Sequence, residues 1–196
     1  DVAPSRGLGD VYKRQIHRRR IMRHAGSMAL CIDKITGSRE RNPMGNCLKV
    51  GILGAGNIAG SMAEALNELQ KEGKACAYAV ASRSQEKALE FARKWNITRA
   101  YSSYEELASD PEVDLIYIAT PHSLHYEQAK LCMEHGKNVL VEKAFTANAR
   151  QAEELFAMAE EKKVFITEAI WTRYMPSREI ITGLLREGVI LSLIHI

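Results

Sequence analysis

From Leu48 onward, short apolar runs alternate with longer stretches in which apolar residues return every three or four positions. LKVGIL (48–53) reads as a strand, and Ile58, Met62, Ala65, Leu66 and Leu69 then share one helical face that ends near Gly73. ACAYAVA (75–81) predicts a second strand, followed by a helix that Ser84 opens and that buries Ala88, Phe91, Ala92 and Trp95. Ser103 and Glu106 have the spacing of a capping box, which predicts a short helix. DLIYIAT (114–120) is the next predicted strand, with a helix after it closing at Gly136. NVLVEK continues as a strand, and its helix carries Ala152, Leu155, Phe156 and Ala159; VFITEA (164–169) adds one more, and Pro176 opens a last helix that stops at Gly188. Four or more β-α repeats without internal sequence repetition predict an α/β fold with a doubly wound parallel sheet. In such sheets ligands sit beyond the carboxyl ends of the strands, here Gly54, Ser82, Thr120 and Lys143.

The two ends of the chain fall outside this pattern. Residues 1–43 hold no sustained period and carry 10 Lys and Arg against 4 Asp and Glu, so the net charge of +3 becomes −3 for residues 44–196. This segment is expected to be a disordered leader foreign to the protein, with Met44 as a natural start. Its HRRR run lacks interleaved aromatics or a docking motif, so no nucleic-acid partner is expected. MGNC mimics a lipidation signal but lacks the required Ser or Thr. DVYKRQ (10–15) and LSLIHI (191–196) can be encoded by opposite strands of one DNA stretch that resembles a sequencing adapter, and both are expected to be translated adapter.

The chain has 196 residues, 46% of them hydrophobic, which suffices for one domain and the beginning of another. No apolar run approaches the roughly 18 residues that cross a bilayer, and no secretory signal is present, so a cytoplasmic protein with no membrane partner is expected. Cys31, Cys47, Cys76 and Cys132 are scattered without CxxC or ligand spacing, which predicts neither disulfides nor a metal site.

GILGAGNIAG places Gly54, Gly56 and Ala59 in the GxGxxG/A spacing, after a strand and at the head of a helix. The first glycine permits a tight turn, the second lets backbone approach a pyrophosphate, and the small third residue lets the helix pack closely. The expectation is a dinucleotide-binding Rossmann domain; a nucleotide-free or methyl-donor version of the fold is the alternative. An NAD-selective site places a carboxylate after the second strand, whereas this chain offers Ser82 and Arg83. A guanidinium pairs with a 2′-phosphate, so NADP is expected over NAD, with NAD possible. Glu142 and Lys143 follow a buried strand directly, and charges there need a partner, a ligand or water. A partly buried Lys143 is placed to hydrogen-bond a substrate hydroxyl and stabilise the alkoxide as hydride leaves; a lysine that merely snorkels into solvent fits the position equally.

TPHSLHYEQA, GKNVLVEKAF and TEAIWTRYMP, together with GAGNIA, resemble the Gfo/Idh/MocA oxidoreductases, closest to the dihydrodiol dehydrogenase branch, over about residues 48–190. The resemblance implies that Gly54, Gly56, Asn57 and Ile58 form the pyrophosphate turn and that Thr120 and Pro121 lie along the nicotinamide ribose. It implies further that His125 belongs to the cofactor site, that Glu142 and catalytic Lys143 match a Glu-Lys-Pro signature, and that Trp171 and Arg173 stand near the nicotinamide and substrate. Ala144 replaces the signature's proline. The implied organisation is a Rossmann domain over 44–168 and the start, at 169–190, of a truncated second α+β domain. The implied function is NAD(P)-dependent hydride transfer between nicotinamide and a hydroxyl-bearing carbon of a sugar, polyol or diol, by a small-molecule enzyme that is a homo-oligomer when complete. The fragment alone is expected to be inactive. A non-catalytic NADP-binding sensor or accessory subunit is the alternative.

Overall fold

The computed structural model describes residues 47–170 and 176–188, so the expectations for residues 1–43, for 191–196, and for Trp171 and Arg173 lie outside the described residues. Six strands form one sheet: β1 (Leu48–Leu53), β2 (Ala75–Ala81), β3 (Arg99–Tyr101), β4 (Leu115–Ile118), β5 (Asn138–Val141) and β6 (Ile166–Glu168). Their order is β3-β2-β1-β4-β5-β6, every pairing is parallel, and this is the doubly wound sheet that the repeating pattern predicts. The chain runs outward from β1 to β3, crosses back to β4 beside β1, and runs outward again. The reversal opens a crevice between the carboxyl ends of β1 and β4.

Among the described residues six helices accompany the strands: α1 (Asn57–Lys71), α2 (Gln85–Trp95), α3 (Tyr104–Ser109), α4 (His125–Glu134), α5 (Ala149–Lys162) and α6 (Pro176–Arg186), with a 3-10 turn at His122–Leu124. Both faces of the sheet are covered because successive strand residues point to opposite sides. Val50, Ile52, Leu115, Tyr117 and Leu140 pack with Met62, Leu66 and Leu69 of α1 and Phe91 of α2. Leu53, Ile116, Ile118, Val139 and Val141 pack on the other side, with Leu107 of α3, Met133 of α4 and Leu155 of α5. The register of β1 against β2 shifts between Val50 and Gly51, so Val50 pairs with Ala77 but Gly51 with Ala79. That irregularity exchanges the faces of β2: Ala77 and Val80 join the first layer, Ala79 and Ala81 the second.

Several boundaries differ from the sequence expectation. The strand expected over 114–120 is regular only over Leu115–Ile118, and that over 164–169 only over Ile166–Glu168. β3 has no counterpart in the sequence pattern, since three residues reading RAY carry no apolar run to announce a strand. Phe156, expected in the core, is 50% exposed and stacks on Phe145 with ring centroids 5.3 Å apart. Trp95 is half-buried, against the flank of α1. The capping box forms as expected: the Ser103 hydroxyl accepts the Glu106 N–H at 3.1 Å, and the Glu106 carboxylate accepts the Ser103 N–H at 3.3 Å.

Candidate functional site

The turn from β1 into α1 is shaped by what a side chain would strike. Gly54 has φ +104°, and a Cβ there would lie 2.7 Å from the Ala119 carbonyl oxygen, so only glycine fits between the ends of β1 and β4. The Gly54 N–H donates to Ala81 O at 2.9 Å and the Ala119 N–H to Leu53 O at 2.8 Å, which ties the three strand ends together. Gly56 is the opposite case: a Cβ would meet nothing within 4 Å, and the residue is exposed beside exposed Asn57 and half-buried Ile58. Ala59 is fully buried, and a Cβ on Gly60 would stand 3.2 Å from the Trp95 ring, so the small residues here do bring α1 close.

No side chain caps the head of α1, and no acidic residue lies in its first turn. α2, α3 and α5 are closed by Ser84, Ser103 and Asn148, each accepting a backbone N–H. The first turn of α1 thus presents uncapped N–H groups and the positive end of a 15-residue helix to open space. An anion fits this cradle on both counts, space and charge.

At the end of β2, the Ser82 N–H donates to Tyr101 O at 3.2 Å and its hydroxyl accepts the Ser84 N–H at 3.4 Å. Arg83 is exposed and has no hydrogen-bond or ion-pair partner among the described residues. A guanidinium in that condition is available to a ligand.

The ends of β4 and β5 are joined by the Glu142 N–H donating to Ile118 O at 3.0 Å. Thr120 is half-buried, with its hydroxyl donated to Gln128, and Pro121 is exposed. The His125 side chain is fully buried. Its Nδ1 lies 2.8 Å from Ala144 O and its Nε2 3.0 Å from Thr120 O, and His122 stands edge-on to its ring at 5.3 Å.

Glu142 and Lys143 do not pair with one another through their side chains. The Glu142 carboxylate is buried, accepts the Tyr117 hydroxyl through Oε1, and accepts the Lys143 backbone N–H at 3.1 Å through Oε2. Burial, the Glu142 charge and that hydrogen bond together push the Tyr117 hydroxyl well above its ordinary pKa, so the phenol stays protonated and donating. The partly buried Lys143 expected from sequence is instead exposed, with its ammonium unpaired among the described residues. Glu142 therefore holds the loop, and Lys143 leaves it. The peptide bond from Lys143 to Ala144 is cis, and the Phe145 N–H donates to Glu168 Oε1 at 2.8 Å.

The structure thus gathers Gly54, Gly56, Asn57, Ile58, Ser82, Arg83, Thr120, Pro121, Glu142 and Lys143 at one edge of the sheet and leaves His125 beneath it. Sequence reasoning missed Tyr117 and Glu168. A tyrosine within a buried strand, whose hydroxyl needs a partner, was the available signal for the first; the second had none. Among the described residues no cluster of three or more His, Cys, Asp or Glu could hold a metal, and no helix is long and apolar enough to cross a membrane.

Residues 48–169 match the sequence model of the oxidoreductase family with an NAD-binding Rossmann fold. The chain is 42% identical over 142 residues to trans-1,2-dihydrobenzene-1,2-diol dehydrogenase of Xenopus tropicalis, covering 72% of this chain and 43% of that protein. It is 40% identical over 152 residues to D-xylose 1-dehydrogenase (NADP(+)) of Hypocrea jecorina, covering 73% and 39%. A 3-ketoreductase from Actinomadura kijaniata, crystallised in complex with NADP, superposes with a TM-score of 0.66 at 32% identity, over 74% of this chain and 45% of that one. The chain spans less than half the length of these relatives.

Proposed function

The chain belongs to the oxidoreductase family with an NAD-binding Rossmann fold, and from that premise we propose that it is the cofactor-binding part of an NADP-preferring dehydrogenase acting on a hydroxyl-bearing carbon of a sugar, polyol or diol. The observation that carries the reading is the uncapped head of α1 beside two glycines of opposite character, one walled in and one open, on the same sheet edge as Lys143.

Asn57 and Ile58, with Gly56, present main-chain N–H groups to a pyrophosphate, and the helix end adds its partial positive charge. Gly54 keeps the turn tight enough to aim them. Ser82 and Arg83 face the adenosine ribose, where the guanidinium pairs with a 2′-phosphate. Thr120 and Pro121 flank the nicotinamide ribose. The nicotinamide ring, when bound, supplies or accepts the hydride. Lys143 brings its exposed ammonium to the reacting oxygen, orients it by a hydrogen bond, and stabilises negative charge developing there. Glu142 acts through the loop rather than on the ligand.

NADP is supported by the unpaired Arg83, by the name of the fungal relative and by the NADP in the ketoreductase structure. The substrate class is supported by relatives named for a diol and a sugar. Since these relatives are named as dehydrogenases and a reductase, the sensor alternative has no support. The length of the relatives leaves room for a second domain that completes the substrate pocket and the oligomer, with residues 169–190 as its start. A cytoplasmic setting accords with the free thiols of Cys47, Cys76 and Cys132.

Titration with NADPH and NADH tests the reading. NADPH is expected to bind at least about tenfold more tightly, and Arg83→Ala to remove most of that preference while leaving NADH affinity unchanged. Equal affinities in both proteins defeat the NADP preference, and the absence of binding by either nucleotide defeats the whole proposal.

A further inference from the structure

Lys143 is exposed and mobile by nature, carried on four methylenes, yet the proposed function asks it to meet one oxygen. Its aim must come from the backbone, and the backbone around it is tied on every side. Glu142 is held at its carboxylate by Tyr117 of β4. The Ala144 carbonyl is met by His125, at the start of α4, at 2.8 Å. The Phe145 N–H is taken by Glu168, at the end of β6, at 2.8 Å. Three separate elements thus fix residues 142, 144 and 145, and the charged side chain of the residue among them, Lys143, is exposed.

We propose that His125 and Glu168 are positioning residues for Lys143: His125 links the loop after β4 to the loop after β5 through the carbonyls of Thr120 and Ala144, and Glu168 anchors the same loop from the far side at Phe145. The inference rests on the reading of Lys143 given above. The two ring nitrogens of His125 lie 2.8 Å from the Ala144 carbonyl oxygen and 3.0 Å from the Thr120 carbonyl oxygen, so the ring stands between the two loops. Because Thr120 belongs to the loop that flanks the nicotinamide ribose and Ala144 to the loop that carries the ammonium, one buried ring sets the separation of the two. His125 is fully buried, and the Glu168 Oε1 is engaged by a backbone amide. A shift of about 1 Å in such a support is enough to lose a productive contact.

The test uses the full 196-residue chain, with two probes: NADPH, and 2′-phospho-ADP-ribose, which lacks the nicotinamide. The ratio of their affinities reports the nicotinamide end alone. The second readout is the acylation rate of Lys143, located by mass spectrometry, with and without NADPH. In the parent protein NADPH is expected to slow acylation of Lys143 by about tenfold. In His125→Phe and Glu168→Ala that protection falls to about twofold or less, while affinity for 2′-phospho-ADP-ribose stays within about twofold. Glu168→Gln restores protection, because its amide oxygen still accepts the Phe145 N–H; a merely structural glutamate would show no such rescue. Should His125→Phe fail to fold, the Glu168→Ala and Glu168→Gln pair decides by itself. Variants that keep the parent protection and affinity ratio overturn the clamp and leave the proposed function standing. A parent protein that binds NADPH without protecting Lys143 overturns the role of the lysine, and the clamp with it, before any variant is made.

Discussion

Gly54 and Gly56 stand two residues apart in the same motif, yet a methyl group would have opposite consequences at each. At Gly54 it would enter the Ala119 carbonyl from a left-handed backbone, so Gly54→Ala is expected to destabilise the fold by about 2–4 kcal/mol, read by urea denaturation. At Gly56 it would enter open space from an extended backbone with φ −91°. Gly56→Ala is therefore expected to leave stability within about 0.5 kcal/mol while weakening NADPH by tenfold or more, on the order of the loss that excluding close backbone approach brings. The motif spacing made both glycines legible as a pair but could not tell them apart, because the carbonyl that crowds one of them lies 65 positions further along the chain. Tyr117 was legible only as a core residue. Its hydroxyl serves the buried Glu142 carboxylate, so Tyr117→Phe is expected to cost about 1–3 kcal/mol, measured the same way, by leaving that carboxylate short of a donor.

At the scale of elements, β3 and α3 show how a strand that the pattern does not announce is held. Tyr101 of β3 donates its hydroxyl to Asp110 at 2.7 Å, Arg99 approaches the same carboxylate at 3.5 Å, and the Glu112 N–H donates to it at 3.0 Å. Burial alone would raise the Asp110 pKa. The Glu112 N–H, the Tyr101 hydroxyl and the charges of Arg99 and Lys137 outweigh it and hold the carboxyl below its ordinary value. A folded pKa below the unfolded one means that the stabilisation is complete above the unfolded value near pH 4 and is lost as pH falls through the folded value. Thermal midpoints measured from about pH 5 downward are expected to fall more steeply for the parent than for Asp110→Asn, which has no such proton to take up. The helices, by contrast, were legible at their ends: the Ser84 and Ser103 caps could be read from residue type and spacing, because a cap partner lies only three residues away.

For the molecule as a whole, the alternation of apolar runs and amphipathic stretches gave the α/β class and the parallel sheet, and the strand order supplies the crevice that the class anticipates. The apolar face of α6 did not convert into core: Ile180, Ile181 and Leu185 are 65%, 50% and 56% exposed. Ile180→Lys and Leu185→Lys are accordingly expected to change unfolding free energy by no more than about 0.5 kcal/mol each, since little packing is removed; losses of 2 kcal/mol or more would show that this face is buried in solution. The sequence by itself determined the periodicities, the caps and the phosphate-sized turn, because each depends on residues within a few positions of one another. Only the tertiary structure decided which charges at the sheet edge are buried and which are free. Glu142 meets Tyr117 from 25 residues away, Ala144 meets His125 from 19 and Phe145 meets Glu168 from 23, and partners at that separation are selected by the packing of strands and helices, not by any local pattern.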